Sequence, residues 1–358
     1  MSEKYNFLLS GHDTVESAYY LTPGKNCLID YAALSLQKEK LRLDKSRTPK
    51  VINLGDKEFL LRPYGSSSGY SYVIENEDFL ISFSELMTPS FFVKFKCLAL
   101  WQKGLVTLHE DFMDWSKLIG MHAFHEESLS RVDFSFDFEI PKLDFDENSF
   151  VSKARKDSRY RKNLIAQTFQ FGKGDIVLRV YDKIAEIKEE SHKTWFYELW
   201  GTDKNVWRAE WQCRKPVLKR FGLHAVDDLI HGQGDLLRYL AAEHDTLRVP
   251  NSDRNRSRWP LHTLWAVLQG QVSNMACQGV YREIDHEARL EQRITRIAIS
   301  VLGNLKQVAA IDCVNKGQQM ESCDEAIARL CDKVKRVHDP FTWMVDVEKR
   351  INQLRLGQ

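Results

Sequence analysis

Ten consecutive residues, Arg131-Val-Asp-Phe-Ser-Phe-Asp-Phe-Glu-Ile140, alternate polar and apolar without a break. Successive side chains of a strand point to opposite faces. One face therefore carries Arg131, Asp133, Ser135, Asp137 and Glu139, and the other Val132, Phe134, Phe136, Phe138 and Ile140. Two further segments share this pattern. In 176–183, Arg179, Tyr181 and Lys183 lie opposite Leu178 and Val180; in 206–213, Arg208, Glu210 and Gln212 lie opposite Trp207, Ala209 and Trp211. Paired in one antiparallel sheet, these strands bury an aromatic face. They gather carboxylates, cations and a tyrosine on the other.

That polar face suggests a chemistry. A tyrosine has an ordinary pKa of about 10, and cations on its own face lower the cost of the phenolate. The same pattern also suits a solvent-facing strand. Carboxylate oxygens suit Mg²⁺ or Mn²⁺. A divalent metal held beside a tyrosine is what phosphodiester transesterification requires.

The motifs resemble those of the Rep-trans family of rolling-circle replication initiators, found in plasmids, some filamentous phages and related conjugative-element relaxases. Arg131-Val-Asp133 with Asp137, Arg179-Val-Tyr-Asp-Lys183 with Glu186, and Trp207-Arg-Ala-Glu210 match in order and spacing. The resemblance covers roughly residues 70–220. It implies an α+β fold: a twisted antiparallel nicking sheet, like that of HUH endonucleases without the paired histidines, and then a helical C-terminal region. It also implies a site-specific single-strand DNA endonuclease and ligase acting through a 5′-phosphotyrosine at Tyr181. Glu210 with Asp133 or Asp137 would hold Mg²⁺ or Mn²⁺, and Arg179 and Lys183 would steady the phenolate or the phosphate. The nearest alternative is a conjugative relaxase with the same chemistry; a second is an origin-binding protein that keeps the fold without nicking, and the intact Tyr181 and Glu210 motifs speak against it. Expected partners are origin DNA, host helicase and polymerase, and a second copy in a homodimer.

At 358 residues the chain has room for two domains: a nicking domain over 1–220 and a helical region over 221–358 for DNA recognition or oligomerisation. The net charge is only +1, yet the cations are clustered. Residues 151–162 hold six Lys/Arg, 204–220 six and 248–258 four. Arg159, Arg161, Lys162, Arg208, Arg254, Arg256 and Arg258 are therefore candidates for DNA contact. Seven scattered cysteines fit a reducing cytoplasm. No signal-peptide core, long apolar run, P-loop, CxxC, GxSxG or HExxH occurs, which argues against a membrane protein, an in-chain helicase, a zinc module and common hydrolases.

Periodicity predicts a helix over 27–43, β structure over 51–101 with 91–100 as one strand, a helix over 109–119, and a helical start to 149–162. A hairpin is expected through 172–174 and a short helix over 182–190. Helices are expected over 225–243, 259–269, 284–311, 320–337 and 340–355. In 284–311, Leu290, Ile294, Ile297, Val301 and Leu305 form a stripe that suggests packed core. The loop 249–260 is the expected linker. His122 and His125 fit a helix turn or loop.

Overall fold

The computed structural model describes residues 5–44, 49–162, 165–275, 286–316 and 322–355. It forms two compact units, Met1–Val280 and Tyr281–Gln358. The first unit begins with β1 (Asn6–Pro23) and α1 (Tyr31–Leu43). The meander β2 (Lys50–Leu54), β3 (Lys57–Leu61), β4 (Tyr72–Glu75), β5 (Phe79–Phe83) and β6 (Phe91–Phe95) follows. Next come α2 (Cys97–Lys103), α3 (Leu105–Leu118) and the long β7 (Met121–Glu139). Beyond lie β8 (Phe150–Ser152), β9 (Asp157–Lys162), β10 (Ile165–Phe171), β11 (Ile176–Asp182), α4 (Lys183–Glu186) and α5 (Phe196–Trp200). The unit ends with β12 (Val206–Arg214), α6 (Lys215–Arg220), α7 (Val226–Tyr239), β13 (Asp245–Leu247) and α8 (Thr263–Ser273). It is α+β, as expected.

Eleven strands form one antiparallel sheet in the order β2-β3-β4-β5-β6-β1-β7-β12-β11-β10-β9. The three alternating segments lie side by side as β7, β12 and β11. Their apolar face carries Phe134, Phe136, Phe138 and Trp211, all buried, and Trp265 of α8 meets Trp211 edge-on at 5.6 Å. Each fully buried phenylalanine contributes roughly 1.5–3 kcal/mol. Because α7 and α8 supply part of this core, the compact unit extends past residue 220, to Val280.

Several elements differ from expectation. β1 is an addition to the expected strands; it pairs with β7 through five register shifts. The apolar run 91–100 is a short strand followed by α2, and Lys96 stands at the helix N-cap. Residues 149–162 form no helix: a 3₁₀ turn leads into β8 and β9. Loop 249–260 is pinned to the first unit, because Arg256 Nη2 donates to the backbone carbonyls of Phe150, at 2.7 Å, and Asn148. His122 and His125 lie exposed on β7.

The second unit holds α9 (His286–Lys316), α10 (Cys323–Val337) and α11 (Pro340–Arg355). Leu305 and Ala326 are buried, and Arg329 Nε pairs with Asp312 Oδ2 at 3.1 Å. The rest of the described stripe, Ile294, Ile297 and Val301, is exposed rather than packed. Ile297–Asn315 is long and apolar enough to cross a membrane by length and composition alone.

Candidate active site

Strand register builds the site in two rows. Asp137, Arg208, Tyr181 and Thr168 lie opposite one another across β7, β12, β11 and β10, and the next row is Ser135, Glu210, Arg179 and Gln170. Rows of facing side chains are the unit of interaction in a sheet. Here they bring Tyr181 onto Glu210: the phenol donates to Glu210 Oε2 at 2.9 Å. Arg179 Nη1 donates to Glu210 Oε1 at 3.1 Å, and Nη2 to Gln212 Oε1 at 3.3 Å.

The electrostatics differ from the simple picture of a tyrosine between two cations. Burial holds the Tyr181 phenol well above its ordinary pKa, and the Glu210 carboxylate adds to the effect, outweighing Arg208. Lys183 is not on the strand face. Asp182 ends β11 and caps α4, accepting from Ala185 N–H at 3.0 Å, so Lys183 starts the helix. Its buried Nζ pairs with Glu186 Oε2 at 2.6 Å and lies 5.5 Å from the Tyr181 ring centroid.

Arg208 is fully buried, so it offers no phosphate contact in this arrangement. Its Nε donates to Asp137 Oδ1 at 2.6 Å, Nη2 to Asp137 Oδ2 at 2.8 Å, and Nη1 to Asp13 Oδ1 at 2.5 Å. Trp200 Nε1 also donates to Asp137 Oδ2, at 2.9 Å. Phe196 of α5 and Trp101 of α2 cover the guanidinium at 4.6 and 5.8 Å. This close cover depends on Gly11, where an added Cβ would meet the Trp101 ring at 2.9 Å. Asp13 was missed in the sequence. Burial alone would raise its pKa, but Arg208 and Lys193 hold it well below the ordinary value. Val15, Ser17, Tyr19 and Leu21 of its strand are buried, but so are Thr14 and Ala18, so no clean alternation signals the strand in the sequence.

Asp133 is held by Arg131, whose Nε donates to Oδ1 at 2.8 Å and whose Nη2 contacts Oδ2. Burial pushes Asp133 up to about 6; Arg131 opposes this and Glu210 adds to it. Each of the three expected metal-binding carboxylates thus has its own arginine. Among the described residues no group of three His, Cys, Asp or Glu side chains is placed to hold a metal. The arrangement does not fit a ready Mg²⁺ or Mn²⁺ cage: a cation would have to take Glu210 from Arg179, or Asp133 from Arg131.

Arg254 and Arg258 are exposed, whereas Arg256 is committed to the β8 backbone. The side chains of Arg159, Arg161 and Lys162 lie outside the described residues; their backbone forms β9. Beside Tyr181 opens a cleft of about 570 Å³, lined by residues of β9, β10, β11 and the helical segment after it.

Fold and site define an α+β chain with a tyrosine–glutamate–arginine cluster on an antiparallel sheet. Residues 100–231 match a family model that describes the N-terminal part of a phage replication-associated protein. All three motifs fall within that segment, so the family model and the resemblance read from the sequence rest on the same residues. No curated protein matches the chain. A solved rolling circle replication initiator protein from Geobacillus stearothermophilus is similar at 17% identity and a TM-score of 0.43, covering 76% of this chain and 98% of that one.

Proposed function

We propose that this protein initiates rolling-circle replication by nicking one strand of its origin DNA, with Tyr181 as nucleophile. The observation that carries the reading is the 2.9 Å hydrogen bond from Tyr181 to Glu210 within the family-matched segment. Glu210 is placed to take the phenolic proton as the tyrosine oxygen attacks the scissile phosphorus. The bond from Tyr181 oxygen to phosphorus forms as the bond from phosphorus to the 3′-oxygen breaks. That oxygen takes a proton from water, leaving a 3′-hydroxyl for a host polymerase and a 5′-phosphotyrosine. Arg179, 30% exposed in its side chain, can turn from Glu210 to the phosphate as negative charge develops there. The transfer conserves the phosphodiester bond, so strand closure is the same exchange reversed.

The cleaved segment must be single-stranded, as in an extruded hairpin. Host helicase and polymerase would act on the nicked origin in the cytoplasm. Incubation with supercoiled plasmid bearing the native origin, with and without Mg²⁺ or Mn²⁺, tests the reading. A relaxed plasmid and a protein–DNA adduct on a denaturing gel support it. Intact supercoils under every condition overturn it.

A further inference from the structure

The cleft beside Tyr181 has two unlike walls. One is strand: Ser158, Gln167, Thr168 and Gln170. The other is the segment after β11: Asp182, Glu186, Glu189 and Glu190. Gln167 and Thr168 are chain neighbours, and neighbours on a regular strand face opposite sides. Both line the cleft because the pairing of β10 with β9 shifts between Ala166 and Thr168, leaving Gln167 as the extra residue. Such a bulge re-aims a side chain, often next to an active site. Among the described residues the side chains of Gln167, Thr168 and Glu190 make no hydrogen bond or ion pair.

We propose that this cleft is a nucleobase pocket in which Gln167 and Glu190 read a base beside the scissile phosphate. The inference rests on the nicking reading and adds its sequence preference. At about 570 Å³ the cleft is within the usual size of ligand pockets. Glu190 repels phosphate and Arg179, which also lines the cleft, attracts it, so the DNA backbone passes on the Arg179 side and a base turns inward. Ionised carboxylates only accept hydrogen bonds, while an amide both donates and accepts. The matching edge carries an exocyclic amino group that donates to the carboxylate beside a group the amide can pair: a ring nitrogen in adenine and cytosine, and O6 with N1–H in guanine. Thymine, whose single N–H lies between two carbonyls, meets the carboxylates with oxygen.

The test uses the full chain and short single-stranded oligonucleotides spanning the mapped nick, with each base in turn at the positions flanking the scissile phosphate. Binding is read by fluorescence anisotropy without divalent cation, and the adduct on a denaturing gel. At one flanking position thymine or an abasic residue should bind about tenfold more weakly than adenine or cytosine. Gln167→Ala should remove that preference, and Glu190→Gln should narrow it. Equal binding of all four bases at every flanking position would sink the pocket, as would the wild-type preference persisting in both variants. Base preference without any adduct would support the pocket and count against nicking instead.

Discussion

The phenol of Tyr181 and the carboxylate of Glu210 share a hydrogen bond of 2.9 Å between neighbouring strands. The tyrosine is therefore stored neutral, with its proton acceptor already in place. Replacing Glu210 with Gln keeps the shape and a hydrogen-bond acceptor but removes the base. Adduct formation should fall by about 10²–10⁴-fold, the usual range for a lost general base. The fold should persist by circular dichroism, and wild-type rates in Glu210→Gln would assign the proton elsewhere.

Tyr181→Phe should abolish the covalent adduct while leaving oligonucleotide affinity near wild type. Only the hydroxyl is lost, and Glu210 keeps its contact with Arg179. An undiminished adduct in this variant would place the nucleophile at another residue.

Asp137→Asn and Arg208→Met probe structure rather than ligation. Breaking one partner of a buried pair costs about 3–5 kcal/mol because the other charge stays buried. Both variants should shift the urea midpoint markedly. Glu210→Ala, by contrast, should affect Mn²⁺ binding, read by calorimetric titration, if any of these carboxylates binds the ion. An Asp137→Asn protein that keeps full stability and loses Mn²⁺ binding would contradict this assignment.

Stability should depend on pH through Asp133. Its folded pKa of about 6 lies above the ordinary 3.8, so the folded state binds the proton more tightly. The contribution is full below about pH 4 and is lost as pH rises through 6, a change of about 3 kcal/mol at 1.36 kcal/mol per unit. Urea denaturation between pH 4 and 7 should show that falling component, and Asp133→Asn should flatten it. An unchanged slope in the variant would move the effect to another group.

Duplex binding should separate the loop arginines. If Arg254 and Arg258 each touch a phosphate, replacing both with alanine lowers the log–log salt slope by about 1.8. Arg256→Ala should instead loosen the loop from β8 and lower stability by about 1 kcal/mol, because the hydrogen bonds to the Asn148 and Phe150 carbonyls are lost. Equal salt slopes for wild type and the double variant would make this loop a bystander in DNA binding.

The strands that carry the site were legible because their alternation is uninterrupted: 131–140, 176–183 and 206–213 read as strands and fall on β7, β11 and β12, with Lys183 the one residue that overruns β11. β1 was not, because its register shifts break the period. The tyrosine–glutamate pairing could be expected only as a shared face, since spacing within a strand says nothing about which residue of the next strand lies opposite. Arg208 misled for a related reason. On its own strand it looks like an outward cation, and the cover over it comes from Trp101 of α2, distant in sequence, and from Phe196 of the short α5, which the alternation does not reveal. Lys183 misled locally, because Asp182 caps a helix where alternation alone would continue the strand.

The knot of Asp13, Asp137, Trp200 and Arg208 joins three strands through one guanidinium and adds a helix through the Asp137 carboxylate. No member can change alone without stranding a charge or a donor out of water. In descendants of this chain Arg208 and Asp137 should be inherited together: where Arg208 gives way to an uncharged residue, Asp137 should be gone as well, while Asp13 can stay with Lys193 and the tyrosine beside them can stay too. Drift at the reacting surface and drift beneath it would then run on separate clocks.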